Sequence, residues 1–567
     1  MFVGINSYFE HPSIAIIEDS KLLFAAEDER FTGLKHGKSY NPYHAYLPLT
    51  SLARGLQHLG RDSKEILSFG FSYSPWLHLA SLGGCFTGAR LSKFSEEISA
   101  FFSARHVRHL LGTNYGYRPE FYSVLSPATL KRVPFLYFDH HRCHAASAFY
   151  LSGFEEAVII TADGAGERAA ARVSVGRGAT IRTVLNHNLP NSLGHLYSLI
   201  TEHLGFKPFS DEYKVMGLAG YGKNEYCKEF EKLLVLLPAG RFRVNLHLAT
   251  NLTTLFGPRL NSAHEIGPRE HDIAHSLQRA LEKAILHIAE DARHRTGLKN
   301  ACFAGGVFMN SVANGLLVKS NIFDKLFFMP AASDAGTAIG AACILNAKAI
   351  PKNPQVAFPG MFIGTEYSNK TVTDIVQEFP GIRSLECSDE ALTSKVADAL
   401  AAGEIGAIFR GKMEFGDRAL GNRSILADPG VPSIVEILNS IKGREMFRPV
   451  APIVLKSVVR DYFDGEGSDF MMITCRVKDS RKSQIPGCVH IDGTARVQTI
   501  DDSSDSLLPH ILNKFGQRKG YPVLINTSFN LHGQPMIEHP RQALVALSAS
   551  RLSFLAMNNL FIQKAAP

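Results

Sequence analysis

Three short β-rich runs joined by tight polar turns open the chain, and the same arrangement returns further on. The first set is "FVGIN", "SIAIIED" and "LLFAAEDE", with Asp19-Ser20-Lys21 as the turn between the last two. The second is "AVIITADGAGE", "AAARVSVGRG" and "TIRTVLNHN". Each set begins with a strand that runs into a polar loop. A repeat of this kind constrains the fold more than any single motif does. It predicts a duplicated α/β (α+β) fold in which helices are appended to each copy.

The rest of the chain fills in those helices. Residues 272–294 predict a long amphipathic helix, because Ile273, Leu277, Leu281, Ala284, Ile288 and Ala292 recur on one face. "NACFAGGVFMNSVANGLL" reads as a strand, a Gly-Gly turn and a helix, and "KLFFMPAASDAGTAIGAACIL" repeats strand, loop and small-residue helix. Gly305-Gly306 would let a ligand approach the backbone closely, or is simply a turn. Asp334 falls in a loop feeding a helix N-terminus. This is the logic of the actin-like ATPase architecture, where nucleotide lies between the two halves; periodicity alone also allows another α+β duplication.

The chain has 567 residues, too many for one ordinary core. "AIPKNPQVAF", over residues 349–358, is a Pro-containing extended stretch that reads as a linker between domains at 1–350 and 359–567. Beyond it, Arg410, Lys412, Arg418, Arg423, Lys442, Arg444 and Arg448 stand among apolar residues. Cations in such settings suit bidentate binding of a phosphate or carboxylate, with interdomain salt bridging as the other reading. Asn526, Thr527 and Ser528 follow a strand and could add neutral hydrogen bonds to the same anion.

Composition narrows the function classes. No apolar run approaches the roughly 18 residues of a membrane span, and "MFVGINSYFEHPSIAII" lacks a signal-peptide pattern. Eight cysteines without a CxxC pair suggest a reducing compartment, so a cytoplasmic protein is expected. The net charge of +7 carries no long Lys/Arg run, and no nucleic-acid partner is expected.

"YFDHHRCHAASAFY", over residues 137–150, holds three histidines ahead of a small-residue helix. On a helix His140 and His144 share a face, while His141 and Cys143 point elsewhere. Gly153 could end the helix. The pair could chelate a metal if another segment supplied oxygen ligands. A catalytic base and a polar helix start remain alternatives. A metallopeptidase is disfavoured, since HHRCH lacks the glutamate of HExxH.

Taken in order, "AAEDERFTGLKHGK", "HHRCHAASAF", "TADGAGE", "NSLGHLYSLITEHLGF", "DEYKVMGLAGYGK", "AGGVFMNSVANG", "EFGDRALGNRSILADP", "IKGREMFRPVAP" and "LINTSFNLHGQP" resemble the O-carbamoyltransferases of antibiotic biosynthesis and nodulation-factor modification. The resemblance implies an actin-like N-terminal domain similar to the tRNA threonylcarbamoyl-transferase, and a YrdC-like C-terminal domain. It implies that the latter converts carbamoyl phosphate and ATP (with Mg2+) to carbamoyl-adenylate, and that the former passes the carbamoyl group to a hydroxyl of a small molecule. By the same resemblance, Fe2+ or another divalent metal is held by His140, His144, Asp163 and Asp334, where it would act as a Lewis acid. Adenylate contacts fall on Lys35, Gly164, Gly306 and Asn310. Carbamoyl phosphate contacts fall on Arg418, Arg423, Arg444, Arg448, Asn526 and Ser528. The general base falls on His11.

Two positions depart from the family pattern. Pro12 stands where an aspartate is common, so His11 must be oriented from elsewhere. Asp417 stands where proline is usual, beside Arg418. Lys214 lies in a family motif without an assigned role. Acceptor contacts are expected from residues 41–118 and 186–260. A tRNA threonylcarbamoyladenosine-type modification enzyme is the alternative reading, which "EFGDRALGNRS" and "IKGREMFRP" oppose.

Overall fold

The two meanders fold as two sheets of one topology. The computed structural model describes all residues except 8, 38–46, 75–76, 78–122, 263–264 and 566–567. In the first sheet β1 (Phe2–Asn6), β2 (Ser13–Glu18) and β3 (Lys21–Glu27) are antiparallel, and β4 (Ser68–Phe71) and β5 (Phe135–Tyr137) extend it in parallel, in the order β3-β2-β1-β4-β5. In the second, β6 (Glu156–Ala162), β7 (Ala169–Arg177) and β8 (Thr180–Asn188) repeat the meander, and β11 (Asn300–Ala304) and β12 (Lys325–Phe328) repeat the parallel extension. A small hairpin, β9 (Leu234–Leu237) and β10 (Arg241–Val244), precedes β11. The β2–β3 turn is tighter than expected: Glu18 pairs with Lys21, and Asp19 and Ser20 carry φ of 49° and 58°. Such left-handed pairs match the twist of a hairpin.

Two helices rich in small residues lie between the sheets. His140–Leu151 follows β5 yet packs on β6 and β11, while Gly336–Ala349 packs on β1, β2 and β4, and the helices pack on one another. Small residues are required there. A Cβ on Gly340 would lie 1.8 Å from the carbonyl oxygen of Cys143, and one on Gly4 would lie 1.9 Å from that of Ala338. Alanine at either position forces backbone apart, an overpacking cost of about 1–3 kcal/mol. The stripe expected at 272–294 is buried as a whole, within a helix spanning Pro268–Thr296. It starts earlier because Pro268 occupies the first turn, and it ends where Gly297 turns left-handed at φ 70°.

The C-terminal part is a mixed eight-stranded sheet, ordered β13 (Ile382–Glu386), β23 (Leu560–Lys564), β22 (Phe554–Met557), β14 (Gly406–Phe409), β15 (Arg423–Ala427), β21 (Val523–Ser528), β16 (Ala451–Leu455) and β20 (Gln498–Ile500). Beside it stands a small sheet of β17 (Phe463–Asp464), β18 (Cys475–Val477) and β19 (Thr494–Ala495). A separate apolar core, from Val372 to Ile562, fills this part. The stretch expected to be extended at 349–358 instead leaves the helix at Ala349, turns over 351–353 and runs extended only from Pro354, and it is fastened down. Val356 N–H donates to Tyr150 O at 2.9 Å and Ala357 N–H to Ser20 O at 2.8 Å, and Met361 and Ile363 lie in the first core. Gly416 joins the two parts: its N–H donates to Glu27 and its carbonyl accepts from Arg30.

The overall class is thus mixed α/β, with the duplicated sheets expected of an actin-like architecture. Among the described residues all seven cysteines are free, and no helix is long and apolar enough to cross a membrane.

Candidate metal and anion sites in one cavity

The crossing of those two central helices between the sheets brings four distant residues together. His140 and His144 occupy the first turns of one helix, Asp334 precedes the other, and Asp163 follows β6. Their ligand atoms all lie within 4.8 Å of one another. That spread matches a first coordination shell, whose metal–ligand bonds run about 2.0–2.2 Å. His144 Nε2 stands 2.8 Å from Asp163 Oδ2, His140 Nε2 stands 3.4 Å from Asp334 Oδ1, and the two Nε2 atoms are 3.0 Å apart. Both rings are fully buried, and their Nδ1 atoms have no hydrogen-bond partner. The ring edges that could bind an ion therefore point at one another and at the carboxylates. Two imidazole nitrogens with two carboxylates form a mixed N/O donor set that fits Fe2+, Zn2+ or Mn2+.

The electrostatics agree. Burial alone would raise the Asp163 pKa, but hydrogen bonds with His140 and His144 hold it well below the ordinary carboxylate range. Burial opposes charge on His140 too, and Asp334 and Asp163 override it, raising its pKa well above the ordinary value. Backbone N–H groups of Gly164 and Gly306 donate to Asp163 at 2.6 and 3.1 Å. The helix start is anchored by Asp139, which caps Arg142 N–H and pairs with Arg172, and by Glu167, which accepts His140 N–H. His141 is structural, its two nitrogens bound to Thr161 Oγ1 and Ala169 O, each at 2.9 Å.

Asp163 and Asp334 line one end of a cavity of about 1090 Å3. The other end is cationic. Lys35, Arg418, Lys442, Arg444, Arg448 and Arg496 all line it. Arg418 Nε, Arg444 Nη2 and Arg496 Nε are buried without a hydrogen-bond partner. Burial, then Arg448, pushes the Arg444 pKa down to about 9. Burial, then Arg444 and Arg448, lowers that of Lys442 well below the ordinary range. Burial, then Arg418, does the same to Arg496. Buried cations that depress one another are the arrangement an anion relieves.

His11 lines the cavity between the ends, in the β1–β2 turn. Its φ of 54° is uncommon for a residue with a side chain. Asn6 Nδ2 holds that conformation by donating to the carbonyls of Glu10 and His11, at 2.6 and 2.9 Å. Glu10 N–H in turn donates to Asp334 Oδ2 at 2.9 Å, tying the turn to the acidic cluster. The His11 and His36 rings meet edge to face at 4.7 Å. Asp417 also lines the cavity and accepts from Ser333 Oγ at 2.9 Å.

The residues singled out in the sequence fall in different settings. Arg423 does not reach the cavity: it is fully buried, its guanidinium donates to the carbonyls of Arg410, Gly411 and Asn422, and it stacks 3.8 Å over Phe409. Asn526 lies at the cavity wall, but its amide hydrogens are taken by Ala419 O and Gln498 Oε1. Ser528 donates to Asn530 and accepts from Lys442, so Lys442 is the charged group at that point. Asn310 caps the Ser311–Ser320 helix and pairs with Gln278. Lys35, Gly164, Gly306 and Asn310 line the cavity, as do Arg418, Arg444, Arg448, Asn526 and Ser528. Arg496 was not anticipated, since a lone arginine in "GTARVQTI" has no motif around it. Of the expected acceptor regions, 41–46, 75–76 and 78–118 lie outside the described residues. From 186–260, Leu193, His195, Phe209 and Tyr213 line the cavity.

Comparison with known proteins adds the following. Residues 1–343 match the family model described as Carbamoyltransferase N-terminus, and residues 397–564 the one described as Carbamoyltransferase C-terminus. An uncharacterised protein of Synechocystis is 33% identical over 100% of this chain and 97% of its own length. The nodulation protein NolNO of Sinorhizobium fredii is 31% identical over 99% of this chain and 80% of its own. The nodulation protein NolO of Bradyrhizobium diazoefficiens is 34% identical, covering 75% and 79%. Among solved structures, HypF of T. kodakarensis aligns with a TM-score of 0.35 at 15% identity, over 60% of this chain and 47% of that one. A likeness at that level carries no argument.

Proposed function

The chain belongs to the carbamoyltransferase family, and on that premise we propose that it is an ATP-dependent O-carbamoyltransferase working through carbamoyl-adenylate. Carbamoyl phosphate gives up its phosphate at the cationic end, which belongs to a YrdC-like domain over 359–567. Water is consumed as phosphate leaves, giving carbamate; a carbamate oxygen then attacks the α-phosphorus of ATP, bound with Mg2+, forming carbamoyl-adenylate as the bond to pyrophosphate breaks. At the acidic end, in the domain over 1–350, a hydroxyl of a small molecule attacks the carbamoyl carbon and AMP departs. His11 takes the hydroxyl proton as the C–O bond forms, since an alcohol is too weakly acidic to react at neutral pH unaided. His140, His144, Asp163 and Asp334 would hold the metal, for which we favour Fe2+; when bound, it supplies Lewis-acid stabilisation of negative charge.

One observation carries the reading: three guanidinium N–H groups in one cavity wall are buried without partners. Leaving such a group unmet costs about 1–3 kcal/mol or more, and a phosphate is the kind of ligand that meets it. The cavity also explains why two steps share a chain. Carbamate decomposes in water, and a short path between two ends of one cavity would limit its exposure. With no membrane span and no bridged cysteine among the described residues, we place the enzyme in the cytoplasm.

The test is incubation of the purified protein with ATP, labelled carbamoyl phosphate and a panel of hydroxylated metabolites. The expected products are AMP, pyrophosphate, phosphate and a carbamate ester seen by mass. AMP formation independent of carbamoyl phosphate would overturn the reading.

A further inference from the structure

Glu445 lies between Arg444 and Arg448, inside the segment that supplies the anion end. A carboxylate in that place is an internal substitute for the phosphate those arginines would bind. The Glu445 carboxylate is shared unequally: Arg448 makes only a loose ion pair with it, while Lys214 holds it by a shorter contact. Lys214 Nζ stands 2.8 Å from Glu445 Oε1, a full charge-assisted hydrogen bond. The nearest Arg448 nitrogen stands 3.6 Å from Glu445 Oε2, too far for one. Lys214 is itself held from the other side by Asp211 Oδ2 at 3.1 Å and lies 5.8 Å from the centre of the Phe206 ring.

The arginines are meanwhile aimed by neutral groups. Arg444 Nε donates to Asn439 Oδ1 at 2.5 Å, leaving Nη2 unpartnered. The Asn439 amide also spans the loop, donating to the carbonyls of Met446 and Arg448 at 3.1 and 3.0 Å. Arg448 rests 4.7 Å over the ring of Tyr213, the residue before Lys214. Phe206 meets Phe447 edge to face at 6.3 Å. The segments around 206–214 and 439–448 thus interlock, and within the interlock the one carboxylate next to the arginines goes to a lysine.

We propose that Lys214 is a positioning residue for the anion site: by holding Glu445 it keeps that carboxylate from neutralising Arg444 and Arg448, leaving both open to the phosphate of carbamoyl phosphate. This rests on the reading of the cationic end given above. An internal carboxylate competes with a free ligand at an effective concentration in the millimolar range. Releasing it therefore weakens anion binding while the reacting groups stay in place.

The experiment uses the full chain and three variants: Lys214→Met, Glu445→Gln and the double variant. AMP formation is measured against carbamoyl phosphate concentration, and inorganic phosphate serves as a competitive probe. Lys214→Met is expected to raise both KM for carbamoyl phosphate and the phosphate inhibition constant by about tenfold or more, with kcat changed less than about threefold. Adding Glu445→Gln should return both constants to within about threefold of the wild type, because the competing charge is gone. Glu445→Gln alone should bind phosphate at least as tightly as the wild type, a test that holds even if Lys214→Met does not fold. Unchanged constants in Lys214→Met, a double variant as weak as the single one, or phosphate binding weakened by Glu445→Gln would each overturn the proposal. They would leave Lys214 as a simple tether. A wild-type protein without carbamoyl phosphate turnover or phosphate inhibition overturns the reading of the site as well.

Discussion

The acidic and the cationic ends of the cavity are built on opposite principles. At the acidic end charges meet within their own cluster: Asp163 is bound by His144 and two backbone N–H groups, and Asp334 by Glu10 N–H. Its residues sit at the starts of two central helices and just after a strand. At the cationic end like charges crowd one another on loops from separate segments, and three of their donors are unmet. The first arrangement suits an ion that stays; the second suits an anion that arrives and leaves in every turnover. Clusters of similar size can thus be told apart by whether the protein itself satisfies them.

If that contrast is right, the ends fail separately. The largest effect should come from His144→Ala, which removes a donor no other residue replaces. Metal content should fall and ester formation should drop below detection, while carbamoyl phosphate consumption continues because its arginines are untouched. Metal analysis beside assays of phosphate and ester checks this. Full metal content with full ester formation would undo the assignment, and loss of both activities would show that the ends are coupled.

Next in size is His11→Asn. General-base removal costs about 10²–10⁴ in rate, and ester formation should fall by that factor with carbamoyl phosphate and metal binding intact. AMP release should fall less, since carbamoyl-adenylate can still decompose. Time courses of AMP and ester in parallel decide the matter: equal losses in both would make His11 a structural residue, and unchanged ester would mean another base.

The contrast also explains what could be read without coordinates. The meanders were legible because strand period and turn chemistry are local, and so was the His140/His144 pair, whose spacing places both on one helical face. The pairing of that helix with Asp163 and Asp334 is long-range, and those two residues came from family resemblance. Arg423 was misread because a cation flanked by apolar residues looks the same whether it faces a cavity or a set of carbonyls. In the strand its neighbours alternate faces, and Arg423 falls on the side of Phe409. Asn526 and Asn310 do line the cavity, but their amide hydrogens go to Gln498 and Gln278, partners far away in sequence that no local pattern reveals. Arg496 was missed because nothing nearby in sequence marks it.

A smaller effect separates the half-buried Arg444 from the fully buried Arg423. Arg444→Lys keeps the charge but loses the planar fork, so KM for carbamoyl phosphate should rise about tenfold to a hundredfold. Arg423→Lys should leave KM alone and lower the melting temperature, because Arg423 holds carbonyls rather than substrate. A raised KM in Arg423→Lys with an unchanged melting temperature would return that residue to the anion site.

The smallest effect concerns the two family departures, Pro12 and Asp417, which meet in the space around His11. Burial alone would lower the His11 pKa, but Asp417, then Glu29, Glu10 and Asp334, outweigh it and hold the value above that of an ordinary histidine. Asp417 thus supplies negative charge to a histidine that has proline, not aspartate, as its chain neighbour. A base must be neutral to accept a proton, so a raised pKa places the acid limb of the transfer step at higher pH. Asp417→Asn removes the first of the opposing charges, the His11 pKa falls, and the acid limb of kcat/KM for the acceptor moves to lower pH. The rate on the plateau, where the imidazole is neutral in both proteins, should fall by less than about threefold, because only the strength of the base changes there. The measurement is ester formation against pH in wild type and Asp417→Asn, with AMP formation as the control for the other end. A limb that stays in place, or one that moves up, would mean that the charge of Asp417 does not act on His11.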